Sequence, residues 1–183
     1  MKEQIFKSTI KLVNQEGIHN SPMSKIARLA NISPGSIYNY FESKSELISS
    51  LYMRLIEERS KHLKTDQDSD IDYKSRFFLM WLNLFKYYTK ASSNYLFIRQ
   101  IEHSPFLKKE IVKLIDDDPW KALVKEGLEI EKLKNLPEQL IIDLIYNSVS
   151  ALVDLFLEEG EQLNNQILNS TLEYCWGGLS VNE

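Results

Sequence analysis

Apolar residues recur at helical spacing along almost the whole chain, and this pattern restricts the fold more than any other feature. Ile5, Thr9, Leu12 and Val13 make one inward stripe, closed by Gly17, a residue suited to the position just past a helix end. Met23, Ile26, Ala27 and Ala30 make a second. Leu47, Ile48, Leu51, Tyr52, Leu55 and Ile56 make a third, at steps of one and three. Alternation of the strand type is almost absent. We expect an all-α chain of about nine helices.

Start signals divide the pattern. Ser21-Pro22 and Ser33-Pro34 each read as a helix cap followed by proline at the first helical position, and Asp118-Pro119 repeats the grammar. Ser43 and Glu46 have the spacing of a capping box. Only Asn31 to Ser33 separate the second helix from the third, and two short helices with so brief a turn read as helix-turn-helix. Residues 64–72 are polar and acidic and read as a linker. Residues 77–88 are apolar nearly all round. Further helices are expected from 104 onward, from Asp118, over 136–160 (ended by Gly160) and over 165–179.

Composition narrows the class. Among 183 residues, 43% are hydrophobic and 26% charged, which suits a globular protein and argues against disorder. Cys175 is the single cysteine, so neither an internal disulfide nor a cysteine-based zinc site is available. The charged, amphipathic start shows no signal-peptide pattern, and the longest apolar run, Phe77 to Leu82, is far too short to cross a bilayer. A cytoplasmic protein without a membrane role is expected. His19, His62 and His103 lack ligand spacing, and Asp116, Asp117 and Asp118 before Pro119 read as a turn and cap, so no metal or cofactor is expected. Net charge is −4, but residues 1–50 carry six Lys/Arg against four Asp/Glu, leaving 16 against 22 for the rest. The sign favours a polyanion partner for the N-terminal part alone.

Residues 33–41, SPGSIYNYF, are unusual for a short helix. On an α-helical wheel Ile37 and Phe41 lie about 40° apart and define the buried direction. Asn39 then points away, beside Gly35 and Ser36, with Tyr38 and Tyr40 on opposite flanks at roughly 80°. This layout suits a helix in a DNA major groove, with base edges facing the outer residues and phosphates facing the phenols. Gly35 would let the helix N-terminus approach an anion, and Lys44 adds a charge nearby. The same residues are also compatible with half-buried packing, a solvated Lys44, and a Ser33 that is only a cap.

The stretch IARLANISPGSIYNYFESKSEL resembles the DNA-binding segment of TetR-family transcription regulators. The shared pattern is matched at Ile26, Ala27, Ala30, Ser33, Gly35, Ile37, Tyr38, Tyr40, Phe41, Lys44 and Leu47. Asn31 departs from the glycine usual in the inter-helix turn, although Asn also tolerates a left-handed conformation. The resemblance implies a dimeric regulator, in the usual form a repressor, that binds a near-palindromic DNA operator and is released by a small-molecule effector. It implies a helix-turn-helix domain over 1–48 and a helical ligand-binding and dimerisation domain over 49–183. It carries over DNA contacts to Ser24, Arg28, Pro34, Gly35, Ser36, Tyr38, Asn39 and Tyr40, with Lys44 on phosphate. Ser21 corresponds to a cap that also touches phosphate; its alternative is a cap alone, and that of Arg28 is a solvated surface residue.

Eight of the 20 aromatic residues fall between Phe77 and Phe97. That density suggests an aromatic-lined cavity for a lipophilic molecule, with Trp81, Phe85, Phe97, Trp120 and Tyr146 as candidate lining, or else an ordinary aromatic core. The resemblance places dimerisation on the last two helices, 137–159 and 165–179. Residues 140–156 agree, because their apolar band is too wide for one contact face. No nucleophile elbow, His-Glu-x-x-His or phosphate loop is present. The alternative to a DNA-binding regulator is therefore a helical small-molecule-binding protein or enzyme with structural N-terminal helices.

Overall fold

The computed structural model describes residues 1–63, 71–102, 104–106, 118–160 and 164–181. Within them the chain is all-α apart from one isolated antiparallel bridge, Leu133 to Ser180. The helices are α1 (Lys2–Glu16), α2 (Met23–Leu29), a 3-10 turn (Ser36–Asn39), α3 (Lys44–Leu63), α4 (Tyr73–Lys90), α5 (Ser92–Glu102), α6 (Pro119–Glu129), α7 (Glu138–Glu159) and α8 (Asn165–Leu179). Helix α5 was not anticipated. The expected helix from residue 104 falls mostly outside the described residues, as do residues 64–70 of the acidic linker, His103, Asp116 and Asp117.

Two compact units emerge. The first joins Met1–Glu58 to the described part of Ala91–Asp116, and the second joins Arg59–Lys90 to the described part of Asp117–Glu183. In the first, α1 packs on α2 and α5. Ile5, Val13, Ile26, Ile37, Leu47 and Phe97 are fully buried, and each such side chain contributes about 1.5–3 kcal/mol. Gly17 ends α1 at φ 79°, a conformation that favours glycine.

In the second unit, α7 packs against α4, α6 and α8. Phe77, Trp81, Trp120, Ile141, Ile145 and Val153 form its centre. The Trp81 indole donates to Ser148 Oγ at 2.9 Å, and the Tyr73 hydroxyl donates to the Leu123 carbonyl at 2.9 Å. The Asp118 side chain accepts from the Trp120 amide at 3.0 Å, with Pro119 at the first position, as the Asp-Pro signal predicts. Helix α7 is long and apolar enough, at a mean hydropathy of 1.8, to pass a length-and-composition test for a membrane span. Asp143 and Asn147 interrupt its apolar runs, so the longest unbroken apolar run in the sequence lies elsewhere.

Candidate nucleic-acid interface

The helix-turn-helix is built from local chemistry. Helix α2 is followed by Asn31 at φ 55°, so asparagine takes the left-handed conformation expected of it there. The amides of Asn31 and Ile32 donate to the carbonyls of Arg28 and Ala27, both at 3.0 Å, and fold the chain sharply. Ser33 Oγ then accepts from the Ser36 amide at 3.0 Å, the expected cap, and shares a 2.7 Å hydrogen bond with Ser36 Oγ. At the start of α3, Ser43 Oγ accepts from the Glu46 amide at 3.1 Å. Glu46 reaches back to the Glu42 amide at 2.6 Å, so the capping box closes one residue further out than its usual form.

The third helix is not the α-helix over 33–41 that the spacing suggests. Its regular part is the 3-10 turn Ser36–Asn39, with the Tyr38 amide donating to Gly35 and the Tyr40 amide to Ile37. In a 3-10 helix residues three apart eclipse. Tyr40 therefore follows Ile37 toward the interior and is half-buried, whereas Tyr38 is 53% exposed and Asn39 is exposed beside it. The symmetric flanks of the α-helical wheel give way to one outward pair. Ile37 and Phe41 are buried as expected, and the Phe41 ring lies 5.5 Å from that of Phe6.

Pro34 and Gly35 are exposed at the head of the turn. Gly35 sits at φ −75°, and a Cβ there would meet only Ser33 Oγ, at 3.9 Å. Nothing among the described residues requires glycine at this position. Arg28 is exposed on α2, and Ser24 and Ser36 are half-buried. Lys44 is half-buried as well: its ammonium donates to the Ile18 carbonyl and lies 4.9 Å from the centre of the Phe106 ring. Burial lowers its pKa below the usual lysine value.

Ser21 is a correction. It is fully buried, and its hydroxyl donates to the Gly17 carbonyl at 2.8 Å. The α2 cap position falls to Pro22, with no side-chain cap bond.

The five aromatic candidates are distributed over both units. Phe97 is buried in the first unit, on α5. The other four belong to the second: Trp81 stacks on Phe85, Trp120 packs edge-on against Phe77, and Tyr146 donates to both Asp118 oxygens at 3.1 and 2.9 Å. Arg59 lies beside them, its guanidinium 4.4 Å from the centre of the Tyr146 ring, and was not singled out from the sequence. Its step from Tyr52, Leu55 and Ile56 puts it on their buried stripe, and that was the available signal. Burial disfavours its charge, but Tyr88, Tyr146 and Asp118 outweigh that and hold the pKa well above the ordinary arginine value. Burial raises the Tyr146 phenol in turn.

Comparison with known proteins agrees with this architecture. Residues 5–51 match the model for bacterial regulatory proteins of the tetR family, and residues 72–180 match a tetracyclin repressor-like C-terminal domain. An uncharacterized HTH-type transcriptional regulator from Haemophilus influenzae is 27% identical over 176 residues, 96% of this chain and 94% of that protein. A TetR-family regulator from Marinobacter aquaeolei shares the fold at a TM-score of 0.87 and 17% identity, covering 99% of this chain and 96% of its own. FadR from Bacillus subtilis, solved in complex with stearoyl-CoA, shares it at 0.74 and 21%, covering 97% and 99%. These relatives are transcription regulators rather than enzymes, which removes the enzyme alternative. With both its N-terminal helices and most of its C-terminal half matched, the chain belongs to the TetR family of bacterial regulatory proteins.

Proposed function

We propose that the protein is a dimeric, ligand-responsive repressor whose segment 33–41 enters the DNA major groove. The observation that carries this reading is the outward set Pro34, Gly35, Tyr38 and Asn39, held on a turn whose inward residues are fully committed to the core. Polar groups on so rigid a support suit readout of base edges. Asn39 and Tyr38 are assigned to the groove. Pro34, Gly35 and Ser36 form the close approach, and Ser24, Arg28, Tyr40 and Lys44 contact the backbone. Lys44 has three donors, so its bond to Ile18 leaves others for phosphate. Ser21 is left out.

The domain reading is 1–48 for DNA and 49–183 for ligand binding and dimerisation, in a cytoplasmic protein. Pairing through α7 and α8 is favoured by their uncovered apolar residues: Leu140 and Leu144 are each 44% exposed, Ile167 40% and Tyr174 83%. Joining these faces between two chains would bury them in a four-helix arrangement, and would account for an α7 more apolar than its own chain can cover. Two copies would place their turns about 34–36 Å apart on a near-palindromic operator. A small apolar effector in the second domain releases the DNA by preferring a different spacing of the heads. The relative solved with stearoyl-CoA supports an effector with a long apolar part.

Selection of the purified protein against a random duplex pool tests the reading. Enrichment of an inverted repeat by a protein that sediments as a dimer is expected. A monomer, or retention without sequence preference, would overturn it.

A further inference from the structure

The core of the second unit contains one charged group that its neighbours serve poorly. Arg59 is only 5% exposed. Its Nη1 donates to the Tyr88 hydroxyl at 3.1 Å, and this is an ordinary hydrogen bond. Its Nη2 stands 3.6 Å from Asp118 Oδ2, too far for one. Its Nε has no hydrogen-bond partner among the described residues. Nε and Nη2 share one edge of the guanidinium, the edge with which arginine grips a carboxylate through two parallel bonds. That edge is the underused one here.

Asp118 does not fill it because its oxygens are engaged elsewhere. They accept from the Trp120 amide at the start of α6 and from the Tyr146 hydroxyl. Nor can the guanidinium escape by losing its proton, since arginine stays charged in proteins. A buried cation with an open bidentate edge is costly, and such groups in native proteins call for an explanation. Two aromatic side chains lie against it, the Tyr146 ring at the guanidinium and the Tyr88 hydroxyl on Nη1, and Phe77, Trp81 and Trp120 are fully buried in the same unit. Trp120 Nε1 is a second buried donor with no acceptor among the described residues. Donors in surplus within an apolar setting describe a receptor for an amphipathic anion.

The geometry points to a head-group site at Arg59: the effector carries a carboxylate that binds the Nε and Nη2 edge, with its apolar body among the aromatic side chains of the second unit. This rests on the reading above that a small molecule controls DNA binding. A single carboxylate is the matching class, because one guanidinium already faces one aspartate and a dianion would leave further unbalanced charge in a low-dielectric core. Asp118 keeps its cap and its bond from Tyr146, and opposes the ligand only as a like charge beside Nη2. It thereby sets an upper limit on affinity.

The test measures calorimetric binding of two matched pairs to the full chain: dodecanoate against 1-dodecanol, and 2-naphthoate against 2-naphthol. At least one acid should bind about tenfold or more tighter than its partner, the increment typical of a charge-assisted hydrogen bond. Arg59→Gln should abolish that preference. Asp118→Asn retains a capping side chain and removes the competing charge, so it should tighten the acid while leaving the neutral partner unchanged. The aspartate variant keeps the test valid should Arg59→Gln fail to fold. Equal binding of acid and neutral partner, or weaker acid binding in Asp118→Asn, would overturn the site. If the neutral molecules release the protein from its selected operator and the acids do not, the site fails while ligand control stands. If none of the four binds and DNA binding is intact, the site and the apolar-effector reading fall together.

Discussion

The turn at residues 33–41 and the cluster around Arg59 deploy polar side chains in opposite settings. In the turn, Tyr38 and Asn39 face solvent, and the chain invests only in the support beneath them: a buried Ile37, a buried Phe41 and the Ser33 cap. Around Arg59 the polar groups are themselves buried, and their partners come from α4, α6 and α7. Water satisfies the first set at no cost to folding, so its identities are free to serve an outside partner. The second set must be satisfied from within, and each imperfect contact weighs on stability. Exposed polarity is therefore evidence about recognition, whereas buried polarity mixes recognition with folding, and mutations should separate the two.

The largest effect is expected at the support of the turn. Ile37→Ala removes a fully buried side chain and should destabilise the protein by about 2–5 kcal/mol, read as a lower denaturation midpoint together with lost DNA binding. A smaller effect is expected in the second region. Tyr146→Phe deletes the hydroxyl that donates to the Asp118 carboxylate and should cost about 1.5–3 kcal/mol in chemical denaturation. The smallest stability effect belongs to the exposed face, where Asn39→Ala should change stability by less than about 0.5 kcal/mol yet alter which DNA is bound. A large stability loss from Asn39→Ala, or none from Tyr146→Phe, would break the contrast.

Reading the sequence worked best where a feature depends on a few neighbouring residues. The Ser33 and Asp118 caps, the left-handed Asn31 and the buried pair Ile37 and Phe41 all fall in this group. It failed where distance along the chain intervenes. Ser21 reads as a cap because of Pro22, but Gly17 captures its hydroxyl instead. Arg59 shares the stripe of Leu55 and Ile56, but the partners that hold its charge, Tyr88, Asp118 and Tyr146, are distant in sequence and become visible only in the structure. The 3-10 form of the turn at Ser36–Asn39 was likewise hidden, since four residues do not distinguish a period of 3.0 from one of 3.6.

The central claim is that the outward face of residues 34–39 reads DNA sequence. The most direct measurement is parallel selection of wild type and Asn39→Ala from one random duplex pool, followed by sequencing of what each retains. The account predicts an inverted repeat for both, with the base preference changed at one position in each half-site. Identical preferences from the two proteins would contradict it, because Asn39 would then take no part in recognition.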